Sequence, residues 1–138
     1  MSQLSSIDIE KNCLRGLYRN PQIFSEIDGF VKHTDFTSQI HQVIYSIVKQ
    51  VLLENKSLDQ VLIAQRIDDL KIRPPENVPI WDYLDNIFTA KIGEKAAVES
   101  FWELSKLRTL REICANTKKM FDFVKAGKPA IVGQIIFS

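Results

Sequence analysis

Two histidines, one aspartate and two cysteines are the side chains best suited to metal binding or nucleophilic chemistry. His33, Asp35 and His41 lie close together in the sequence. Their spacing does not place two ligands on one helical turn, and no Cys lies nearby, so a metal site is not favoured. His41 is expected to hydrogen-bond a backbone carbonyl instead. Cys13 and Cys114 fall in apolar stripes, which predicts two buried free thiols rather than activated nucleophiles.

Two close pairs of aspartates are the candidates for general acid–base chemistry. Asp68 and Asp69 are adjacent, and adjacent helical residues point about 100° apart, so these carboxylates do not converge. Asp82 and Asp85 form the second pair, and both pairs are predicted to lie on solvated helix faces. The chain also lacks a Gly-x-x-x-x-Gly-Lys-Ser/Thr phosphate loop. The sequence therefore predicts no catalytic residue, no bound cofactor and no metal.

Four lysines late in the chain are the candidates for weak contact with DNA: Lys118, Lys119, Lys125 and Lys128. They also lie where cations stabilise the carboxyl end of a helix, so both interpretations stay open. The formal net charge is +1, from 18 Lys and Arg against 17 Asp and Glu. Nucleic-acid-binding domains usually carry a clear basic excess, so DNA is predicted to be at most a weak ligand.

The elements that carry these residues are predicted to be helices. A hydrophobic content of 45% with only 5 Gly and 5 Pro indicates a globular chain without the many turns of an all-β protein. Apolar residues at helical spacing predict five short helices, over about 6–19, 21–28, 38–54, 57–70 and 81–88. Thr37 or Ser38 is expected to cap the third helix, and Asn55 to end it in a left-handed conformation.

A longer sixth helix is predicted from about Glu94 to about Lys125. It would span about 45 Å at 1.5 Å per residue. This is longer than the surface of five short helices that it could cover, so part of it is expected to pack against another chain. Its apolar and aromatic residues are candidates for a subunit interface, with the core of one chain as the alternative for the aromatic ones. These are Phe101, Trp102, Leu107, Leu110, Thr117, Phe121 and Val124.

The chain is predicted to comprise a globular head over 1–92 and a subunit-association element over 93–138. Residues Ile131 to Phe137 begin a further apolar segment, so we expect either a truncated chain or a segment that packs on a partner. The sequence has neither a signal peptide nor an apolar run long enough to cross a membrane, which predicts a cytoplasmic protein.

An ordered set of short motifs between about residues 7 and 126 resembles the N-terminal domain of DnaB-type replicative DNA helicases. The set comprises Glu10, Leu14-Arg15-Gly16-Leu17, Phe36, His41, Ile44-Tyr45, Leu58-Asp59, Tyr83-Leu84 and Arg111-Glu112. Two segments depart from the family pattern. The segment 75–79 replaces a Gly-Gly pair before Tyr-Leu, and 90–93 replaces an Asn-rich stretch. This divergence suits a phage or plasmid member of the family.

The resemblance implies an all-α fold, a compact five-helix head followed by a long helix that starts a helical hairpin. It implies self-association, as a dimer or as a hexamer built as a trimer of dimers, in a collar that docks primase and a helicase loader. The chain itself would not be an enzyme. Its parent would be an ATP-dependent helicase whose motor domain, with ATP and Mg, is absent here. The alternative is a stand-alone replication-interaction module, either a phage mimic of the collar or the helicase-binding domain of a primase.

Overall fold

The computed structural model describes residues 6–74 and 77–125, with side chains described as far as Thr117. Within these ranges every regular element is helical, which confirms the all-α prediction. The α-helices are α1 (Ser6–Arg19), α2 (Phe24–Ile27), α3 (Gln39–Leu53), α4 (Gln60–Asp69), α5 (Ile80–Phe88) and α6 (Glu94–Lys125). Short 3-10 helices precede α2 (Pro21–Ile23) and α3 (His33–Asp35). The predicted start of a hairpin, from Ile131 onward, lies outside the described residues.

The chain divides into two compact units, Met1–Ser105 and Lys106–Ser138. The first unit contains α1 to α5 and the first turns of α6. Within it Ala97, Phe101 and Leu104 of α6 are fully buried. The predicted head, 1–92, thus lies inside a unit that also includes the start of the long helix. The role of the remainder as a subunit-association element stays a prediction.

The core of the first unit forms where apolar residues recur every three or four positions. On α1 this spacing buries Cys13, Leu14 and Leu17 completely. Each fully buried leucine contributes about 1.5–3 kcal/mol relative to an exposed one. The central helix α3 buries the widest stripe, as its sequence predicts. That stripe comprises Ile40, Ile44, Tyr45, Ile47, Val48 and Val51.

A glycine on α1 allows the start of α6 to approach closely. A Cβ atom added at Gly16 would lie 2.5 Å from Cβ of Ala97 and 3.0 Å from its Cα. These separations are too short for two carbon atoms, so the two helices pack at this distance only because position 16 has no side chain.

The ends of α3 and α4 follow local sequence signals. Asn55 adopts a φ of 59° directly after α3, which confirms the left-handed ending expected there. Asp59 caps α4, because its carboxylate accepts a hydrogen bond from the Val61 N–H at 3.0 Å. The start of α3 is different, since the side chain of its N-cap residue Ser38 makes no capping hydrogen bond.

Candidate protein-interaction surface

Two of the aromatic residues predicted for a subunit interface lie in the first unit and occupy different environments. Phe101 is fully buried, with its ring 6.3 Å from that of Tyr45. Trp102 is 51% exposed and stacks on Phe30, with 4.0 Å between the ring centroids. Phe101 therefore belongs to the core of one chain, the alternative that the sequence left open. Trp102 still offers half of its surface to a partner.

The second unit carries an exposed apolar stripe on α6. Leu110 is 56% exposed and Ile113 is 53% exposed, while Leu107 is half-buried. Cys114 and Thr117 are exposed and follow at helical spacing. Large apolar side chains on one face of a helix are typical of a surface that another chain covers.

The expectation of two buried thiols holds for one cysteine and is wrong for the other. Cys13 is fully buried, and desolvation together with the negative charge of Glu10 raises the pKa of its thiol. Cys114 is exposed because the apolar stripe that contains it is open to solvent in a single chain. The predicted interface residues Phe121 and Val124, and the predicted DNA contacts Lys118, Lys119, Lys125 and Lys128, lie outside the described side chains.

A buried carboxylate connects α1 to the start of α3. Glu10 Oε2 accepts hydrogen bonds from the hydroxyl of Ser6 at 2.9 Å and from the N–H and hydroxyl of Thr37 at 2.9 and 2.6 Å. Its Oε1 accepts from the Ser38 N–H at 3.3 Å and from Nδ1 of His41 at 2.8 Å. Glu10 thus supplies the N-terminal cap of α3 from another helix, at the end where the helix dipole favours an anion.

His41 extends this contact to α5. Its Nε2 lies 2.7 Å from the hydroxyl of Tyr83. Because an ionised carboxylate can only accept, Nδ1 carries the proton that is shared with Glu10. In the neutral ring Nε2 is then an acceptor, and Tyr83 donates. His41 was expected to bind a backbone carbonyl; it binds a carboxylate and a phenol instead, because α1 and α5 bring these groups to both edges of its ring.

The buried Glu10–His41–Tyr83 chain of hydrogen bonds stabilises one protonation state of each of its two acidic groups. Burial alone would raise the pKa of Glu10, but the hydrogen bonds from His41, Thr37 and Ser6 outweigh it and lower the pKa from 4.5 to about 2. Burial and the nearby Glu10 charge raise the pKa of Tyr83 from 10.0 to about 12. The carboxylate therefore stays ionised and the phenol stays protonated over the whole physiological range.

The other half of α1 holds the end of α5 with cations. Arg15 Nε donates to the Ile87 carbonyl at 2.7 Å. Arg19 donates from its terminal nitrogen to the Thr89 carbonyl at 2.6 Å. These guanidinium groups lie at the carboxyl end of α5, where the helix dipole favours a positive charge. Helix α1 thus caps two other helices. Its first half caps the start of α3, and its second half caps the end of α5.

A groove of about 550 Å³ lies between α3 and α4. Val43, Ile47 and Leu70 form its apolar part, and Leu70 is 55% exposed. Glutamines line much of the remainder. Arg66 and Asp69 also line the groove, so an apolar floor is bordered by polar and charged side chains, which is the character of a site for an amphipathic helix.

The remaining candidates for chemistry do not come together in the described part of the chain. His33 is exposed, and the Asp35 carboxylate accepts from the Lys32 N–H at 3.1 Å. Both aspartate pairs, Asp68 with Asp69 and Asp82 with Asp85, are exposed. Among the residues whose side chains are described, no group of three His, Cys, Asp or Glu is arranged to hold a metal ion. No helix in the same ranges is both long and apolar enough to cross a membrane.

Comparison with protein families matches residues 2–104 to the DnaB-like helicase N terminal domain. The chain belongs to this family. No curated protein and no solved structure gives a significant match. Within the DnaB-like domain, three of the motif residues that carry the resemblance, Glu10, His41 and Tyr83, are the members of the buried hydrogen-bond chain. Sequence reasoning identified them separately and did not predict that they meet.

Proposed function

We propose that this DnaB-like domain is the collar of a replicative DNA helicase, and that it acts by holding subunits together rather than by making or breaking bonds. The observation that carries the proposal is the family match, together with the exposed stripe on α6. A domain that assembles a ring needs a rigid body and a surface for its neighbours. The first unit has the buried core of such a body, and the second unit has the uncovered apolar surface.

The association surface is assigned to the described part of the stripe, Leu107 to Thr117. Leu110 and Ile113 are each about half exposed, so covering both contributes about 2–3 kcal/mol of apolar transfer energy. Association at micromolar concentration requires about 8 kcal/mol, so further residues are buried with them in the proposed interface. The proposed assembly is a dimer, or a hexamer made of three dimers. Trp102, in the first unit, offers its exposed face as a separate contact for a neighbouring chain.

Light scattering coupled to size-exclusion chromatography tests this assignment. The chain is expected to associate with rising concentration, and the double variant Leu110→Glu/Ile113→Glu is expected to remain monomeric. Val61→Glu is the matched control, because Val61 is 58% exposed on α4 of the first unit. Monomeric wild-type protein at high concentration, or equal loss of association in the control, would contradict the proposal.

Primase and a helicase loader are the partners proposed for the collar, with the α3–α4 groove as the docking place for a helix of one of them. Half-exposed Leu70 gives such a helix an apolar anchor. Co-purification with the primase and the loader of the same replication system is the direct measurement. Leu70→Glu is expected to abolish capture of one of them, and Val61→Glu to leave it intact. Capture of neither by the wild-type chain would remove this part of the proposal.

The parent protein is proposed to be an ATP-dependent DNA helicase of the cytoplasm whose nucleotide chemistry, with ATP and Mg, resides in a motor domain. This chain alone is then expected to hydrolyse no ATP. A coupled phosphate-release assay on the pure protein measures this. Hydrolysis that disappears when a residue of this chain is replaced would show that the domain is itself an enzyme.

The alternative is a stand-alone replication-interaction module, such as a phage mimic of the collar or the helicase-binding domain of a primase. It shares the fold and the docking surfaces but would act on a helicase supplied by another gene. Reading the source gene beyond codon 138 separates the two. A linker and a phosphate-binding loop in frame support the collar, and a stop codon supports the module.

A further inference from the structure

The hydroxyl of Tyr45 is a buried donor that the fold does not use. Tyr45 is 1% exposed, and its hydroxyl has no hydrogen-bond partner among the residues that the structure describes. Burial, together with the negative charges of Asp28 and Asp35, raises the pKa of this phenol well above its usual range, so the phenol keeps its proton. Buried polar groups are almost always paired, so an unpaired donor of this kind indicates a place for an acceptor from outside the chain.

Tyr45 lines a cavity of about 470 Å³ beside the exposed face of α3, which we call the Tyr45 cavity. Val31, which is 2% exposed, supplies an apolar wall, and Leu53, which is 59% exposed, supplies an apolar edge. The volume lies within the range of clefts that bind small organic groups. The cavity therefore offers an apolar surface next to the buried tyrosine.

The described residues that line the Tyr45 cavity include cations and no carboxylate. Lys32 and Lys49 both line it. The ammonium group of Lys49 lies 3.3 Å from the Asp28 carboxylate, whereas Lys32 is exposed and forms no salt bridge within the described part of the chain. One such cation beside one neutral donor fits a single negative charge. A carboxylate carries that charge and only accepts hydrogen bonds, while a phosphate group carries nearly two charges and would need a second cation.

The Tyr45 cavity adjoins the α3–α4 groove. His33, Ser46 and Gln50 line both of them, so the two depressions meet along the exposed face of α3. A helix in the groove would therefore have the cavity within reach of its side chains. This continuity favours a side chain of a docked protein over a free small acid as the source of the carboxylate.

We propose that the Tyr45 cavity binds a carboxylate on a short apolar stem, the acidic side chain of a partner helix that lies in the α3–α4 groove. The inference rests on the proposed function, which assigns such a helix to the groove. The carboxylate accepts a hydrogen bond from the Tyr45 hydroxyl and pairs with Lys32, and its stem packs on Val31 and Leu53. Because the hydroxyl is covered, a flexible side chain of the rim moves aside as the acid enters.

Sodium butyrate is the probe for this chemistry, because it has the carboxylate and the stem without a peptide. Amide chemical shifts of the ¹⁵N-labelled full chain are followed by NMR as butyrate is added, with butylammonium chloride as the matched ligand of opposite charge. Saturable shifts at Val31, Lys32 and Tyr45 are expected with butyrate only. Equal or larger shifts with butylammonium, or none with butyrate, would overturn the proposal.

Two variants test the groups assigned to the cavity. Tyr45→Phe is expected to weaken butyrate binding about tenfold, the factor that corresponds to one hydrogen bond to a charged group, while the variant stays folded. Lys32→Gln is expected to weaken it less, because an exposed ion pair contributes less. Lys91→Gln removes an exposed cation elsewhere in the first unit and is expected to bind butyrate like the wild type. Unchanged affinity in Tyr45→Phe, or an equal loss in Lys91→Gln, would overturn the proposal.

Capture of the purified primase and loader of the same replication system tests whether a partner supplies the carboxylate. Tyr45→Phe is expected to weaken capture of one of them about tenfold, whereas Leu70→Glu abolishes it. Loss in Leu70→Glu alone would overturn the assignment to a partner side chain and would leave the groove as the docking place. Capture of neither by the wild-type chain would remove the docking proposal and the partner with it. The butyrate titration would then still decide whether the cavity binds a carboxylate.

Discussion

The two halves of α1 stabilise the ends of two other helices with side chains of opposite charge. The first half places the Glu10 carboxylate at the amino end of α3, and the second half places the guanidinium groups of Arg15 and Arg19 at the carboxyl end of α5. Both satisfy backbone groups that a helix end leaves unpaired. The carboxylate is fully buried, whereas Arg19 is exposed and Arg15 only half-buried. The comparison shows that the sign of the side-chain charge decides which helix end is stabilised. The burial of the side chain decides how much free energy the contact contributes.

Removing the buried group is expected to have the largest effect. Glu10→Ala leaves the fully buried His41 and the N–H groups of Thr37 and Ser38 without their acceptor. We expect the free energy of unfolding to fall by about 3–5 kcal/mol, because several donors lose their acceptor at about 1–3 kcal/mol each. Urea denaturation followed by circular dichroism measures this. A loss below 1 kcal/mol would show that burial does not decide how much free energy the contact contributes.

Low pH is expected to weaken the contacts that Glu10, in the first half of α1, makes with α3. The folded-state pKa of Glu10 is about 2 against an ordinary value of 4.5, so between these values the unfolded chain binds more protons. The stability from this group is therefore complete above about pH 4.5 and is lost as pH falls toward 2. The shift corresponds to about 3 kcal/mol. Glu10→Gln is the control: its stability is expected to fall less steeply over this window than that of the wild type.

Two tyrosines provide a matched test of hydrogen bonding behind α1. Tyr83→Phe deprives Nε2 of His41 of its donor, and we expect a loss of about 1–3 kcal/mol. The hydroxyl of Tyr45 is also buried but has no hydrogen-bond partner among the residues that the structure describes. Tyr45→Phe is therefore expected to be neutral or to stabilise the protein by about 1 kcal/mol. Equal losses in the two variants would indicate a packing effect common to both rings rather than a hydrogen bond.

The arginine half of α1 is expected to show the smallest effect. Arg15→Ala removes a half-buried cap of the α5 carboxyl end, and we expect the free energy of unfolding to fall by about 0.5–1 kcal/mol. Part of this loss is expected to disappear in high salt, because screening weakens the charge–dipole interaction in the wild type. Parallel denaturation curves at low and high salt measure it. A salt-independent loss as large as that of Glu10→Ala would remove the contrast between the two halves.

Much of the fold could be predicted from local patterns. Apolar residues at three- and four-residue spacing placed α1, α3 and the long helix, and Asn55 marked the left-handed end of α3, which depends only on neighbouring residues. The cap of α3 was not predictable in this way. Thr37 and Ser38 looked like ordinary capping residues, yet the oxygen that accepts from them lies 27 and 28 residues away on α1.

The candidate interaction surface was predictable in part, because periodicity identifies an apolar stripe but not what covers it. The same pattern on α6 continues from fully buried Phe101 to exposed Leu110. For this reason Cys114 was expected inside the core and is found exposed. His41 was expected to be structural rather than metal-binding, but its partners come from α1 and α5, 31 and 42 residues distant, which no local pattern encodes.

The distant cap of α3 also makes two backbone protons reporters of tertiary structure. Local caps protect amides whenever a helix forms, but the N–H groups of Thr37 and Ser38 are engaged only while α1 is docked. Hydrogen exchange at these two positions therefore measures the opening between α1 and α3, and exchange near Val48 measures unfolding of α3 itself. A partner that separates α1 from α3 would accelerate hydrogen exchange at the amides of Thr37 and Ser38. The amides near Val48 would stay protected.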